Sequence, residues 1–183
     1  MLIRYTRILS IITMLSGMIA IGSNLHAQSL GRQRIEKIRQ IKVMAGNWEL
    51  NTTMIPLNAP RISEKGSMHC SIVFDSTYVE CQVELTNERG QKRSYRQFTT
   101  YNPQTAQYEI LYLYSGSPMR ILEFGEFANN ELRSKTTIKQ SNGSEEIIQT
   151  LLRMSDPNNL YFESRSSVTK NEIDYTCTYK RAN

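Results

Sequence analysis

Residues 68–85 read Met68-His69-Cys70-Ser71-Ile72-Val73-Phe74-Asp75-Ser76-Thr77-Tyr78-Val79-Glu80-Cys81-Gln82-Val83-Glu84-Leu85. Met68, Cys70, Ile72 and Phe74 alternate with His69, Ser71 and Val73. Beyond Asp75-Ser76, the residues Thr77, Val79, Cys81, Val83 and Leu85 alternate with Tyr78, Glu80, Gln82 and Glu84. A period of two is the mark of a strand with one packed and one wet face, so the stretch predicts an antiparallel hairpin. With Asp75-Ser76 as a two-residue loop, Ile72 faces Val79, Cys70 faces Cys81 and Met68 faces Val83. That register leaves two readings for the cysteines. They form a Cys70–Cys81 disulfide, or they stay an unbonded pair of small inward-facing core residues. A two-residue loop would make them a hydrogen-bonded pair with Cα atoms ~5.5 Å apart.

The same grammar continues to the end of the chain. Turn signals recur at Asn87-Glu88-Arg89-Gly90, Asn102-Pro103, Ser115-Gly116-Ser117-Pro118, Asn129-Asn130, Ser141-Asn142-Gly143, Asp156-Pro157-Asn158-Asn159 and Lys170-Asn171. Between them lie runs rich in Tyr, Ile, Thr and Phe: 95–101, 108–114, 121–127, 132–138, 145–154, 160–168 and 173–179. With Trp48–Ile55 and the first hairpin, about ten strands follow one another in a meander. No helical pattern separates them, which excludes a parallel sheet. Ten antiparallel strands lose their edges by closing, so the fold class is all-β, an up-and-down barrel over 46–183.

Upstream the period changes. Ile35, Ile38, Ile41 and Ala45 fall at three- and four-residue spacing, the pattern of an amphipathic helix within 28–45. Its apolar face suits a plug against the barrel core, and its basic face would also suit anionic lipid headgroups. Residues 1–27 combine Arg4 and Arg7, an uncharged run from Ile8 to Gly22, and Leu25-His26-Ala27 before Gln28. This is the order of a secretory signal peptide, with an uncleaved N-terminal anchor as the alternative. The protein is expected to be exported, periplasmic or secreted.

The net charge of +5 and pI near 9.2 are properties of the N-terminal part. Arg4 and Arg7 lie in the leader. Arg32, Arg34, Lys37, Arg39 and Lys42 face only Glu36 in 30–43. The remaining 140 residues, 44–183, hold 15 basic and 16 acidic side chains. A nucleic-acid binder needs a basic surface, so that class is set aside. Membrane-surface contact is confined to residues 30–43.

Catalytic and metal chemistry find few candidates. His69 is the single histidine after the leader and falls on the outer face, which leaves Cys81 and Cys177 without a base. Glu80, Glu84, Glu109 and Glu126 alternate with apolar residues as solvated faces. Only three aspartates exist, Asp75 and Asp156 in turns and Asp174 at the head of the last strand. No catalytic residue, metal or cofactor is assigned. The abundant material is tyrosine. Tyr112 and Tyr114 share a face of their strand, Tyr175 and Tyr179 share a face of the last, and Tyr95 and Tyr101 join from a neighbour. A lining of Trp48, Tyr95, Tyr101, Tyr112, Tyr114, Glu123, Tyr175 and Tyr179 predicts a site for a small apolar or amphipathic molecule, a lipid included. A barrel of ten strands should leave room for it. Two alternatives stand beside this reading. One is an envelope interaction module using the basic helix or the free cysteine, Cys177. The other is a cofactor-free isomerase or cyclase using Glu123 with Tyr112 as acid or base.

The helix leading into Ala45-Gly46-Asn47-Trp48 resembles the G-x-W entry of lipocalin-like (calycin) barrels. The chain from about 33 to 181 also looks like a bacterial family of lipocalin-like domains of unknown function, family 1579. The matching features are the helix, the G-x-W, a strand opening at Gly66, Thr100-Tyr101-Asn102 followed by Tyr108, and Tyr175-Thr176-Cys177-Thr178-Tyr179-Lys180. The family usually has Asp where Asn102 stands, and a Trp-containing strand where Ile110–Tyr114 lies. The resemblance implies that Trp48 closes one barrel end against a basic residue, Lys180 or Arg181. Haem-binding relatives use a late histidine, which this sequence lacks.

Overall fold

The computed structural model describes residues 28–118, 120–140, 142–170 and 172–182. The leader read from 1–27 lies outside the described residues. A helix, α1, covers 28–40 and runs through a 3-10 turn at Lys42–Met44 into the first strand. Ten strands follow in chain order. They are β1 Gly46–Met54, β2 Ile62–Val73, β3 Tyr78–Asn87, β4 Lys92–Asn102, β5 Gln107–Tyr114, β6 Arg120–Ala128, β7 Glu131–Lys139, β8 Glu145–Asp156, β9 Asn159–Ser166 and β10 Ile173–Arg181. Each pairs antiparallel with the next, and β1 pairs with β10 to close the barrel. No edge strand is left among the described residues to template association.

The register of the first hairpin is the one alternation predicts: Cys70 opposite Cys81, Ile72 opposite Val79, Met68 opposite Val83. The loop differs. The last pair is Val73–Tyr78, so four residues connect the strands, with Phe74, Asp75 and Ser76 all at positive φ. A two-residue loop and a four-residue loop share the same residue pairing but invert the hydrogen-bonding phase. Cys70 and Cys81 are therefore a close pair, with Cα atoms 4.1 Å apart, and they are joined as a disulfide. Strand β2 also begins earlier than the alternation suggests. Gly66 lies in mid-strand opposite Leu85 and Leu50 rather than opening it. A Cβ there would sit 1.8 Å from the Glu84 carbonyl oxygen, so β2 and β3 meet at a distance only glycine allows.

The two ends of the barrel differ. At one end the apolar face of α1 and its following turn, Ile38, Ile41 and Met44, is fully buried in one core with Trp48, Leu50, Tyr101 and Tyr108. Burying side chains of this size contributes ~1.5–3 kcal/mol each, which holds the helix as a plug. Trp48 donates its indole N–H to the Met44 carbonyl at 2.8 Å. Arg181 lies 4.3 Å over the Trp48 ring and donates to three carbonyls, those of Val43, Ala45 and Pro157. Gly46, at φ +127°, makes room for that guanidinium, because a Cβ there would lie 2.5 Å from Nη1. Lys180, the other candidate for closure, is exposed on the outer face, since it occupies the opposite phase of β10. Arg181, and not Lys180, closes this end.

Candidate functional site

The end opposite α1 carries the other half of the interior. Inward positions of the strands converge there, and the sequence puts rings on many of them. From β4, β5, β9 and β10 come Tyr95, Tyr112, Tyr114, Phe162 and Tyr175, which with Glu123 of β6 line a mouth cavity of about 190 Å³. Tyr95 stands 6.2 Å from Tyr112 and 5.4 Å from Tyr114 between ring centroids. Phe162 and Tyr175 form an edge-on pair at 5.9 Å. Met54, Ile121 and Ile148 complete the apolar part of the wall. Below lies a second, smaller cavity of about 30 Å³, room for roughly one or two waters, lined by Met44, Met68, Ile110, Leu132, Gln97 and Tyr179 among others. The two cavities share Tyr95, Tyr112, Thr150, Phe162 and Tyr175 as walls. Ten strands thus do leave room, but at the mouth, because Tyr, Met and Leu side chains fill the lower half.

Two polar groups are built into this interior. Glu64 of β2 is buried and accepts the Thr52 hydroxyl at 3.0 Å. The Arg93 guanidinium grips its carboxylate through Nε, at 2.8 and 2.9 Å, and through Nη2 at 2.5 Å. Arg93 also lies 5.7 Å over the Tyr175 ring. Burial works against the Arg93 charge, but the hydrogen bonds and charge of Glu64 outweigh it and hold the guanidinium above its ordinary pKa.

Glu123 is the second group. It is 4% exposed, and its Oε2 accepts hydrogen bonds from Ser134 at 2.6 Å and Thr150 at 2.9 Å. Among the described residues it has no cationic partner, and Oε1 takes no hydrogen bond. Burial raises the Glu123 pKa, against the two hydroxyl donors that lower it. The tyrosines around it are shifted the same way. Burial pushes Tyr95, Tyr112 and Tyr179 well above the ordinary phenol value and Tyr175 up to about 12. Their hydroxyls therefore stay neutral donors across the physiological range.

Of the residues expected to line the interior, Tyr95, Tyr112, Tyr114, Glu123 and Tyr175 meet at the mouth and Tyr179 in the deeper cavity. Trp48 and Tyr101 line neither. Both are buried at the depth of α1, where Trp48 is sealed under Arg181. Tyr101 packs edge-on against Tyr108 at 5.3 Å, with the Lys37 ammonium 5.6 Å from its ring. Cys177, offered as a partner contact, is buried, and burial raises its thiol to about 12. It is neither accessible nor nucleophilic. His69 is exposed, 2.7 Å from the Asn47 side chain. The Glu64–Arg93 pair is absent from the expected lining. Its signal lies in phase: Arg93 is two residues before Tyr95 on β4, and Glu64 two before Gly66 on β2. Ser134 and Thr150 carry no signal, since small hydroxyl residues suit either face of a strand.

No family model and no curated protein matches the chain. Among solved structures, it is similar to the redesigned β-barrel mFAP0 bound to DFHBI, with 14% identity over 76% of this chain and 99% of that one, at a TM-score of 0.43. It is likewise similar to a de novo designed fluorescence-activating β-barrel, with 12% identity, coverage of 77% and 95%, and a TM-score of 0.44. A third is the redesigned barrel b11L5F_LGL, with 14% identity, coverage of 79% and 96%, and a TM-score of 0.44.

Proposed function

We propose that this is an exported, lipocalin-like barrel that holds one small, largely apolar or amphipathic molecule in its mouth. The observation that carries the reading is the unfilled volume of about 190 Å³ walled by five aromatic rings at the end α1 leaves open. An interior of that size suits a single ring compound, since an apolar cavity near ~150 Å³ accepts benzene. The rings supply apolar contact, and neutral phenol hydroxyls with Glu123 supply a few polar anchors, the usual make-up of a ligand site. Export is supported by the leader read from 1–27 and by the Cys70–Cys81 disulfide, which suits an oxidising compartment. Membership of the lipocalin-like group is supported by the Gly46-Asn47-Trp48 entry and by the Arg181 stack on Trp48.

The experiment is denaturing extraction of the protein purified from its own host, followed by mass spectrometry, with thermal shifts against lipids and small ring compounds. Recovery of one small molecule at about one per chain is the expected result. An empty protein indifferent to every ligand would overturn the proposal.

A second reading, proton-transfer catalysis without a cofactor, has one observation in its favour: Glu123 and Tyr112 line the same cavity. Exchange of a substrate carbon-bound proton with solvent, lost in Glu123→Gln, would establish it. The interaction-module reading loses support, because the apolar face of α1 and Cys177 are both spent inside the barrel. Arg32, Arg39 and Lys42 remain on the surface for an anionic partner.

A further inference from the structure

The charges in the mouth do not balance. Arg93 is matched by Glu64, which it grips through Nε and Nη2, so that pair is neutral as a unit. Glu123 is matched by no cation among the described residues. Two hydroxyls hold Oε2, while Oε1 takes no hydrogen bond from any described residue, and the side chain forms part of the cavity wall. A largely buried carboxylate without a cation is costly, and a protein relieves it by protonation, by water at its open edge or by bringing a cation to it. Around the same space stand Tyr95, Tyr112, Tyr114, Phe162 and Tyr175. The negative faces of aromatic rings attract organic ammonium groups, most strongly where water is excluded. A carboxylate and an aromatic wall in one cavity have one occupant chemistry in common.

Resting on the ligand-binding reading above, we infer that the occupant is an organic monocation, a small aromatic or cyclic amine whose ammonium group pairs with Glu123 Oε1. The ring lies among the tyrosines, and the ammonium balances the Glu123 charge, which the neutral Arg93–Glu64 pair leaves unmatched. The cavity volume holds one ring with a two-carbon amine arm. An anionic ligand would face Glu123 with no free cation in the wall, since Arg93 is already engaged.

The test is calorimetric titration of the full-length protein with three isosteres: 2-phenylethylamine, 2-phenylethanol and 3-phenylpropionate. The amine should bind at least ~10-fold tighter than the alcohol, and the acid weakest, as expected for a charge-assisted pair. In Glu123→Gln, which keeps side-chain shape and the Ser134 and Thr150 contacts, the amine should lose its advantage and bind no tighter than the alcohol. Tyr114→Leu should weaken the amine more than the alcohol. Equal binding of amine and alcohol to the wild type, or an amine preference that survives in Glu123→Gln, overturns the inference and leaves the ligand-binding reading intact. Failure of all three compounds, together with neutral apolar rings, overturns both.

Discussion

Removing Arg93 should damage this protein more than removing Glu64, although the two form one ion pair. Glu64 is 7% exposed and Arg93 32%, so their alternatives to each other are unequal. In Arg93→Met the carboxylate keeps only the Thr52 hydroxyl at 3.0 Å. Stranding a buried charge costs ~3–5 kcal/mol, and water entering from the mouth reduces that to about 2–3 kcal/mol. In Glu64→Gln the Thr52 contact survives, and Arg93 retains the Tyr175 ring while its wet edge turns to solvent. The loss should be about 1 kcal/mol, that of one ordinary hydrogen bond exchanged for water. The double variant should be more stable than Arg93→Met alone, with a coupling of about 1–2 kcal/mol. Urea unfolding followed by fluorescence reads all three, because Trp48 is the only tryptophan and lies buried at the closed end. Equal losses, a larger loss in Glu64→Gln, or simple additivity in the double variant would show that the unequal burial of the two charges does not set their cost.

Three further perturbations probe other parts of the barrel. Replacing Cys70 and Cys81 together by Ala opens a link across a sequence separation of 11, and should lower stability by about 2–3 kcal/mol in the same unfolding assay. A change below ~0.5 kcal/mol would show that the link contributes nothing. Gly66→Ala places a methyl 1.8 Å from the Glu84 carbonyl oxygen, so the β2–β3 ladder must move. A loss of at least ~2 kcal/mol, or failure to fold, is expected, and an unaltered melting temperature would contradict the close approach. Glu123 has a folded pKa above its unfolded value, so the native state binds the extra proton between those two values. Its contribution is favourable below the ordinary carboxylate pKa and is lost as pH rises through the raised one. Glu123→Gln should therefore stabilise the protein relative to wild type at about pH 8, with the advantage shrinking toward about pH 4, as thermal melts across that range would record. An advantage that grows toward acid pH would reverse the sign and refute the assignment.

The strands, their order and their pairing are legible in the sequence because alternation is local. Cys70, Ile72 and Met68 find their partners from parity and the turn centred on Asp75-Ser76. Parity also puts Tyr112 with Tyr114, and Tyr175 with Tyr179, on shared faces that turn inward. What it cannot convey is depth along the barrel. Trp48 and Tyr101 have the right phase yet lie under α1, because the helix occupies that end. Lys180 and Arg181 are adjacent and equally basic, and only the closing register of β1 with β10, Trp48 opposite Arg181, chooses between them. The length of the hairpin loop is hidden because two- and four-residue connections give the same pairs and differ only in hydrogen-bonding phase. The Glu64–Arg93 pair is hidden for a different reason. Charged residues on an inward phase read as exceptions until their partner, 29 residues away, is brought alongside over the intervening strand β3.

The proposed function requires the unfilled mouth to take up a ring-sized molecule. Calorimetric titration of small ring compounds against the wild type and against Ile148→Trp tests it most directly. Ile148 forms part of the mouth wall, so an indole there would occupy the space at the end opposite α1. Saturable binding at one molecule per chain is expected for the wild type, lost in Ile148→Trp while the fold and melting temperature persist. Undiminished binding to Ile148→Trp, or no binding to the wild type, would contradict the claim.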